Sequence, residues 1–357
     1  MPTIEILQIP GYKKVIEARD HKVGLHCFIA IHSTQLGPAL GGVRIYPYEN
    51  KESALTDALR LAKAMTYKTA LAQIGIGGGK SVIIADPRTD KTPALLHSFA
   101  KVVHSLGGDY IAAEDVGSTP QDMLLLREET PYVAALPTAA SSGDPSRFTA
   151  WGLYQGLKAV AETLWGSPSL KNKIIAIQGL GHVGAKIAEI LFWEEAQLIL
   201  CDTDREKIAR LCHMYSAQKV EPETYTATPC DILCPCALGN VLNSKTIPLL
   251  RCPAVAGGAN NQLGEPEDAL RLHKRNILYA PDYAINAGGI INATAEFSAG
   301  GYDPCEAREK TNLIRETLKQ IFIEAKEHNQ PTSQVADAIA ERNLAQSVGR
   351  RTVPLFH

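Results

Sequence analysis

The chain reads as an α/β protein of two domains. Three observations predict this. Its 357 residues exceed what one ordinary core supports. Short apolar, β-rich runs alternate along it with stretches of helical spacing. In its second half a glycine turn, Gly179-Leu-Gly181-His-Val-Gly184, lies between a strand-like and a helix-like run, with an acid after the next strand.

Composition narrows the function classes. Hydrophobic residues make up 45% and charged ones 21%, values typical of a globular protein. A formal net charge of −2, with no basic block, gives no long-range attraction to nucleic acid or to an anionic membrane. The opening MPTIEILQIPGYKK lacks the charged-then-apolar pattern of a signal peptide, and no run approaches the roughly 18 apolar residues of a membrane span. A cytosolic protein with reduced thiols is expected. Cys230, Cys234 and Cys236 cluster, but Pro235 separates the last two and no histidine is near, so buried apolar thiols are expected and no metal.

The elements follow in order. Residues 23–32 and 39–46 read as strands around the turn 33–38, the second interrupted by the pair Gly41-Gly42, a sign of close approach. Residues 53–65 have helical spacing, with Ser53 as the expected cap. Gly75-Ile-Gly-Gly-Gly-Lys80 then reads as a tight turn leading into the strand 81–85, with Lys80 held at the strand's edge. It is not a phosphate-binding P-loop, because the first glycine of that motif falls on Ile74 and a strand follows instead of a helix. A helix over 92–106 and a short strand over 110–113 lead to Glu114-Asp115, a carboxylate pair at a strand's carboxyl end. The Ser-, Pro- and Gly-rich stretch 137–145 reads as the linker, and 148–164 as a helix.

The glycine turn is the most specific local signal. Strand 173–178, helix 185–191, strand 197–201 and Asp202 complete a dinucleotide-binding βαβ unit, the Rossmann arrangement. The helix N-terminus offers partial positive charge to a pyrophosphate. Asp202 suits the ribose hydroxyls and repels a 2′-phosphate, which favours NAD over NADP, although Arg205 lies nearby. Further short strands at 232–233, 254–256 and 277–279 end in polar loops, as in a parallel sheet. A helix follows from 286 to 297, a long amphipathic one from 305 to 329, and a last one from 333 to 346. The tail 348–357, basic then apolar, suits docking on a neighbour.

With these residues in hand, the chain resembles the family of glutamate, leucine, phenylalanine and valine dehydrogenases. The stretches that carry the resemblance are GPALGGVR (37–44), DALRLAKAMTYK (57–68), GIGGGK (75–80), YIAAEDVG (110–117), SSGDPS (141–146), QGLGHVG (178–184), CPCALG (234–239), GGANNQL (257–263) and APDYAINAGGIIN (280–292). They run in order through both halves of the chain. The resemblance implies oxidative deamination of an L-amino acid with NAD as hydride acceptor, in a cleft between an N-terminal substrate domain (1–140, with 326–357 packing back on it) and a Rossmann domain (141–325). It also implies a homo-oligomer, often an octamer in the family.

The same resemblance implies residue roles. Lys80 matches the catalytic lysine, its pKa depressed by burial and by a nearby Lys68. Lys68 matches the residue that binds the substrate carboxylate, and Asp115 the acid that shuttles protons. Gly41, Gly42 and Met65 fall with the substrate. Asn261 and Thr149 match residues that orient the substrate and the nicotinamide amide. Gly179, Leu180, Gly181, His182, Val183, Gly184, Asp202, Ala237 and Asn260 fall with the dinucleotide. The side-chain pocket is implied at Leu40, Ala113, Ile290 and Ala293, which suits leucine, valine and isoleucine. Ala293 keeps an aromatic substrate, phenylalanine or tryptophan, as the alternative. Two readings of other classes stand beside these. A non-catalytic NAD-binding regulator is disfavoured by the presence of Lys68, Lys80 and Asp115 together. A 2-hydroxy-acid oxidoreductase would want a catalytic histidine.

Overall fold

The computed structural model describes residues 2–136, 141–237, 239–298, 300–353 and 355. Positions 137–140 of the expected linker, and 354, 356 and 357 of the expected docking tail, lie outside the described residues. The chain divides into two compact units. The first comprises Met1–Gly143, Ala293–Asp303 and Ala340–His357; the second comprises Asp144–Asn292 and Pro304–Ile339.

In the first unit one sheet holds β1 (Thr3–Leu7), β2 (Lys14–Asp20), β3 (Leu25–Ser33), β4 (Ala39–Tyr46), β5 (Gly77–Ile84) and β6 (Tyr110–Glu114). Their order is β1-β2-β3-β5-β4-β6; the pairs from β1 to β5 are antiparallel, and β5, β4 and β6 run parallel. Three helices cover it: α1 (Lys51–Ala72), α2 (Pro93–Ser105) and α3 (Pro120–Glu129). Period-two alternation assigns the faces. Ile29, Val43, Ile45 and Ile83 pack against Leu96, Phe99 and Val103 of α2 and Met123 and Leu126 of α3. Phe28, Ala30 and Val82, on the opposite face, pack beneath Ala54, Ala58 and Ala62 of α1. Those small side chains let α1 lie close to β5.

Two local expectations change here. The cap of α1 is Asn50, whose Oδ1 accepts from the Ser53 amide at 2.8 Å, and the helix runs on to Ala72, so Lys68 is helical. The glycines 77–79 are strand, not turn; the left-handed turn is at Gly75. A Cβ on Gly77 would come within 2.1 Å of the Ser33 carbonyl oxygen, and one on Gly78 within 2.1 Å of the Thr66 amide. The glycines are what allow β5 to run between β3 and β4 directly under α1. Lys80 therefore sits inside a central strand rather than at an edge.

The second unit is a parallel sheet of β7 (Ile174–Gln178), β8 (Gln197–Cys201), β9 (Gln218–Lys219), β10 (Ile232–Pro235), β11 (Ala254–Val255) and β12 (Leu278–Tyr279), in the order β12-β11-β10-β7-β8-β9. Numbered from its first strand this is the 3-2-1-4-5-6 order of the Rossmann fold, with the switch of direction between β7 and β10. Around it lie α4 (Ser146–Trp165), α5 (His182–Trp193), α6 (Arg205–Tyr215), α7 (Glu267–Lys274), α8 (Asp282–Ile285), α10 (Pro304–Asn312) and α11 (Ile314–His328). Two helices, α9 (Gly288–Ala295) and α12 (Thr332–Ala345), begin in this unit and end in the first.

The long helix expected over 305–329 is two. Thr311 donates its hydroxyl back to the Ala307 carbonyl at 2.7 Å, and the Leu313 amide turns to Lys310 instead of one residue further back. Both tighten the chain at that point. Leu313, whose apolar spacing would put it on the inner face of one continuous helix, is 58% exposed and caps α11. Residues 326–339 stay with the second unit instead of packing on the first. Thr332 donates to the Tyr279 carbonyl at 2.6 Å, and the Tyr283 hydroxyl donates to the Ser333 carbonyl at 3.1 Å and to the Asp337 carboxylate.

Candidate active site

In the first unit the chemistry-bearing residues collect on the sheet face that α1 covers. Leu40, Gly42 and Arg44 alternate along β4, Gly42 pairs with Ala113 of β6, and Lys80 lies on β5 two residues before Val82. Asp115 follows β6 directly, in a turn closed by its amide donating to Ser118 Oγ at 2.9 Å. The Lys80 ammonium donates to Asp115 Oδ2 at 2.5 Å, and Arg44 Nε donates to the same oxygen at 3.1 Å. Gly42 makes room for this pair: a Cβ there would lie 2.6 Å from the Asp115 Cβ and 3.1 Å from the Lys80 Nζ. Gly41 is equally confined, against the Gly79 carbonyl, and its own carbonyl accepts from the Tyr110 hydroxyl at 2.7 Å. Met65 and Lys68 are half-buried on α1, Leu40 is buried and Ala113 half-buried.

The electrostatics follow from burial. Lys80 is only 6% exposed. Desolvation pushes its ammonium below the usual lysine value, the Asp115 charge opposes that, and the Arg44 guanidinium adds to it. Desolvation pushes Asp115 upward, but Lys80 and Arg44 outweigh it and hold the carboxyl below its ordinary value. The cation that adds to the depression of Lys80 is Arg44, where sequence reasoning had put Lys68 in that part. Sequence reasoning assigned Arg44 no role, and missed Asp57, whose Oδ2 accepts from Arg44 Nη1 at 2.8 Å. Each alone could have been placed, Arg44 on the strand face of Gly42 and Asp57 about three helical turns before Lys68 on α1, but nothing in the sequence joined the two.

In the second unit the glycine turn opens at the sheet's switch point, between the carboxyl ends of β7 and β10. Gly179 adopts a left-handed φ of +87°, and a Cβ there would strike Ala237. A Cβ on Gly184 would come 1.8 Å from the Gly179 carbonyl oxygen, so that glycine serves the packing of α5 on the strand. Gly181, the N-cap of α5, has no neighbour within 4 Å of such a Cβ. Neither backbone strain nor internal packing demands a glycine there. His182 and Ala237 are exposed, Val183 half-buried and Leu180 buried. Asp202 Oδ2 accepts from the Leu180 amide at 2.5 Å and Oδ1 from the Asp204 amide at 2.9 Å. Burial raises the Asp202 carboxyl, and those backbone hydrogen bonds outweigh it and keep it below its usual value.

The loops after β11 and β12 complete this unit's crescent. Asn261 holds a left-handed φ of +52°; its amide donates to Asp282 and its carbonyl accepts from Asn240, each at 2.7 Å. The exposed Asn260 accepts from Asn286 Nδ2 at 2.6 Å. Thr149 on α4 donates to the Pro145 carbonyl at 3.1 Å and lies against Gly289 at the start of α9. Ile290 and Ala293 are both half-buried on α9, one helical turn apart. Cys234 is buried, while Cys236 is half-buried, with its Sγ 3.7 Å from that of Cys234. Among the described residues no group of three or more His, Cys, Asp or Glu is placed to hold a metal.

Comparison with known proteins decides the family. Residues 13–132 match the sequence profile of the Glu/Leu/Phe/Val dehydrogenase dimerisation domain, and residues 195–351 that of glutamate/leucine/phenylalanine/valine dehydrogenase. The chain belongs to the Glu/Leu/Phe/Val dehydrogenase family. It is 44% identical over 345 residues to leucine dehydrogenase of Geobacillus stearothermophilus, covering 96% of this chain and 94% of that one. It is 43% identical over 352 residues to phenylalanine dehydrogenase of Caldalkalibacillus thermarum, covering 96% and 94%. The crystal structure of L-tryptophan dehydrogenase from Nostoc punctiforme superposes with a TM-score of 0.85 at 41% identity, covering 94% of this chain and 97% of that one. As a member of the Glu/Leu/Phe/Val dehydrogenase family the chain is an amino-acid dehydrogenase that uses a nicotinamide cofactor. In this family member Lys80 and Asp115 meet in the first unit, while the glycine turn and Asp202 meet in the second.

Proposed function

We propose that this dehydrogenase oxidatively deaminates branched-chain L-amino acids (leucine, valine and isoleucine) to the 2-oxo acid and ammonium, with NAD as the oxidant. The observation that carries the chemistry is the buried Lys80–Asp115 pair at 2.5 Å. A lysine whose ammonium is destabilised by burial gives up its proton more readily and can act as an amine base. Lys68 is proposed to bind the substrate carboxylate. Asp115 takes a proton from the substrate's ammonium group, and NAD, when bound, would supply the acceptor for the hydride that the α-carbon of the resulting amine gives up. Lys80 removes a proton from the water that adds to the resulting iminium carbon. Asp115 returns its proton to the amino group; as the new hydroxyl loses its proton to solvent, the C–O double bond forms and the C–N bond breaks, and the released ammonia takes the proton held by Lys80 to become ammonium.

The residues of the second unit fit a dinucleotide. The open space over Gly181, the exposed residues Gly181 and His182 at the start of α5 and the carboxylate of Asp202 suit a pyrophosphate and a ribose diol. Asp202, held as an anion by the backbone, repels a 2′-phosphate, which supports NAD over NADP. Asn261 and Thr149 are proposed to orient substrate and nicotinamide amide.

Side-chain preference rests on Leu40, Ala113, Ile290 and Ala293, and on the likeness to leucine dehydrogenase. Methylene-scale differences in an apolar pocket are worth about 1–3 kcal/mol, so all three branched-chain substrates should turn over. Ala293 and the likeness to the tryptophan enzyme support an aromatic substrate as the second reading. Among the described residues no helix is long and apolar enough to cross a membrane. A cytosolic homo-oligomer, assembled through the unit that matches the dimerisation-domain profile, is part of the same proposal. The test is reduced-nicotinamide formation with a panel of L-amino acids, each with NAD and with NADP. Activity on leucine, valine and isoleucine with NAD is expected. Activity on phenylalanine and tryptophan alone would overturn the pocket assignment, and activity on no amino acid would overturn the reaction.

A further inference from the structure

We propose that Arg44 is a positioning residue for the Lys80–Asp115 pair, bridging Asp115 to an outer anchor at Asp57 and serving as the fixed counter-ion of Asp115 while Lys80 gains and loses its proton. The inference rests on the reading of Lys80 and Asp115 given above and adds to it a residue that does not itself touch substrate.

Geometry carries it. A single oxygen, Asp115 Oδ2, accepts from two cations, Lys80 at 2.5 Å and Arg44 Nε at 3.1 Å. The far end of the same guanidinium donates through Nη1 to Asp57 Oδ2 at 2.8 Å. Asp57 is held in turn by the Tyr48 hydroxyl at 2.6 Å and by Arg60 Nη2 at 2.9 Å. The side chains are largely buried: Lys80 is 7% exposed, Asp57 17%, Arg44 21% and Asp115 22%. A planar guanidinium with five donors can span two carboxylates in one fixed arrangement; an ammonium cannot.

The reaction explains the need for such a group. Whenever Lys80 is neutral, Asp115 loses one of its two counter-charges in a desolvated place, where an unpaired carboxylate would take up a proton. Arg44 stays charged at every working pH. It favours the anion of Asp115 between that residue's proton transfers, and its own charge beside Lys80 disfavours the ammonium. The charged groups that act on Lys80 are Asp115, Arg44 from β4 and Asp57 from α1; Tyr48 and Arg60 hold Asp57, the Tyr110 hydroxyl meets Ser81 beside Lys80 on β5, Glu114 precedes Asp115, Lys68 lies further along α1, and His32 at the end of β3 meets Thr66 of α1. Of these, Arg44 and Asp57 act in opposite senses. Removing the cation should raise the Lys80 pKa, and removing the acid should not.

The experiment is the pH dependence of kcat/KM for deamination, with separate kcat and KM values and a thermal melt, for the natural protein and for Arg44→Gln, Arg44→Lys and Asp57→Asn. In Arg44→Gln the acid limb should move up by about one pH unit, and kcat should fall on the order of tenfold to a hundredfold with KM for NAD unchanged. Arg44→Lys should restore the limb toward its natural position while kcat stays low, because the charge returns without the fork. Asp57→Asn should lower kcat without any upward movement of the limb. An acid limb in Arg44→Gln that coincides with that of the natural protein overturns the proposal, as does an upward shift in Asp57→Asn equal to that in Arg44→Gln. Should Arg44→Gln lack a cooperative melt, a fully active Arg44→Lys would also overturn it. Absence of amino-acid oxidation in the natural protein would instead undo the underlying reading.

Discussion

Gly42→Ala puts the architecture of the acid–base pair to a direct test. The added methyl would sit 2.6 Å from the Asp115 Cβ, 3.0 Å from the Glu114 carbonyl oxygen and 3.1 Å from the Lys80 Nζ. The first distance falls roughly 1 Å short of ordinary van der Waals contact. The Glu114–Asp115 backbone has little room to retreat, because the Asp115 amide is tied to Ser118 and β6 is paired to β4. The pair must therefore open by a substantial part of an ångström. A displacement of that size in a catalytic constellation costs on the order of a hundredfold in rate, and overpacking costs about 1–3 kcal/mol of stability. Steady-state kinetics should show kcat/KM down by about that factor, a melt lowered by a few degrees, and NAD affinity unchanged, since the dinucleotide turn belongs to the other unit. A Gly42→Ala protein with natural kcat/KM would refute the reasoning, because it would mean that the 2.5 Å contact is not what the reaction depends on.

Other outcomes follow from the same structure. Asp202→Ala should weaken NAD more than NADP and narrow the gap between them, as read by dinucleotide titration; an unchanged ratio would leave the ribose assignment without support. Asp57 and Asp115 both have carboxyl pKa values lowered in the folded state. The stability they contribute is in full force above the ordinary carboxylate value of about 4 and is lost as pH falls through their lowered values. Acid unfolding should therefore set in below about pH 4, and Asp57→Asn should flatten that dependence in melts taken across the range. Gly181→Ala should leave stability within about 1 kcal/mol of the natural protein while lowering dinucleotide affinity, because the added methyl meets no protein atom within 4 Å and would enter only the space proposed for the dinucleotide.

How much of this was legible in the sequence depended on whether local pattern and tertiary role agreed. Around Gly179–Gly184 they do: strand, turn, helix and acid follow in one stretch, and the sheet order sets the turn at its switch point. At Gly77–Gly79 they conflict, since three glycines favour a turn by local propensity. Only the squeeze between β3, β4 and α1 makes them a strand. The break at Leu313 was hidden because apolar spacing continues across it, and the deciding features are a back-bonded hydroxyl and one tightened turn. β1 is a short strand whose residues are mostly exposed, so no buried alternation marks it. Arg44 and Asp57 were invisible as a pair, because strand pairing and helix packing must both be known before one is seen to face the other.

The central claim is that Lys80, paired with Asp115, is the base of an amino-acid dehydrogenase. The most direct measurement compares the Lys80→Ala variant with the natural protein for leucine-dependent NAD reduction and, separately, for NAD binding by titration. The account predicts that turnover disappears into the background of the assay while the dinucleotide still binds with its natural affinity. Turnover near the natural rate in Lys80→Ala would contradict it.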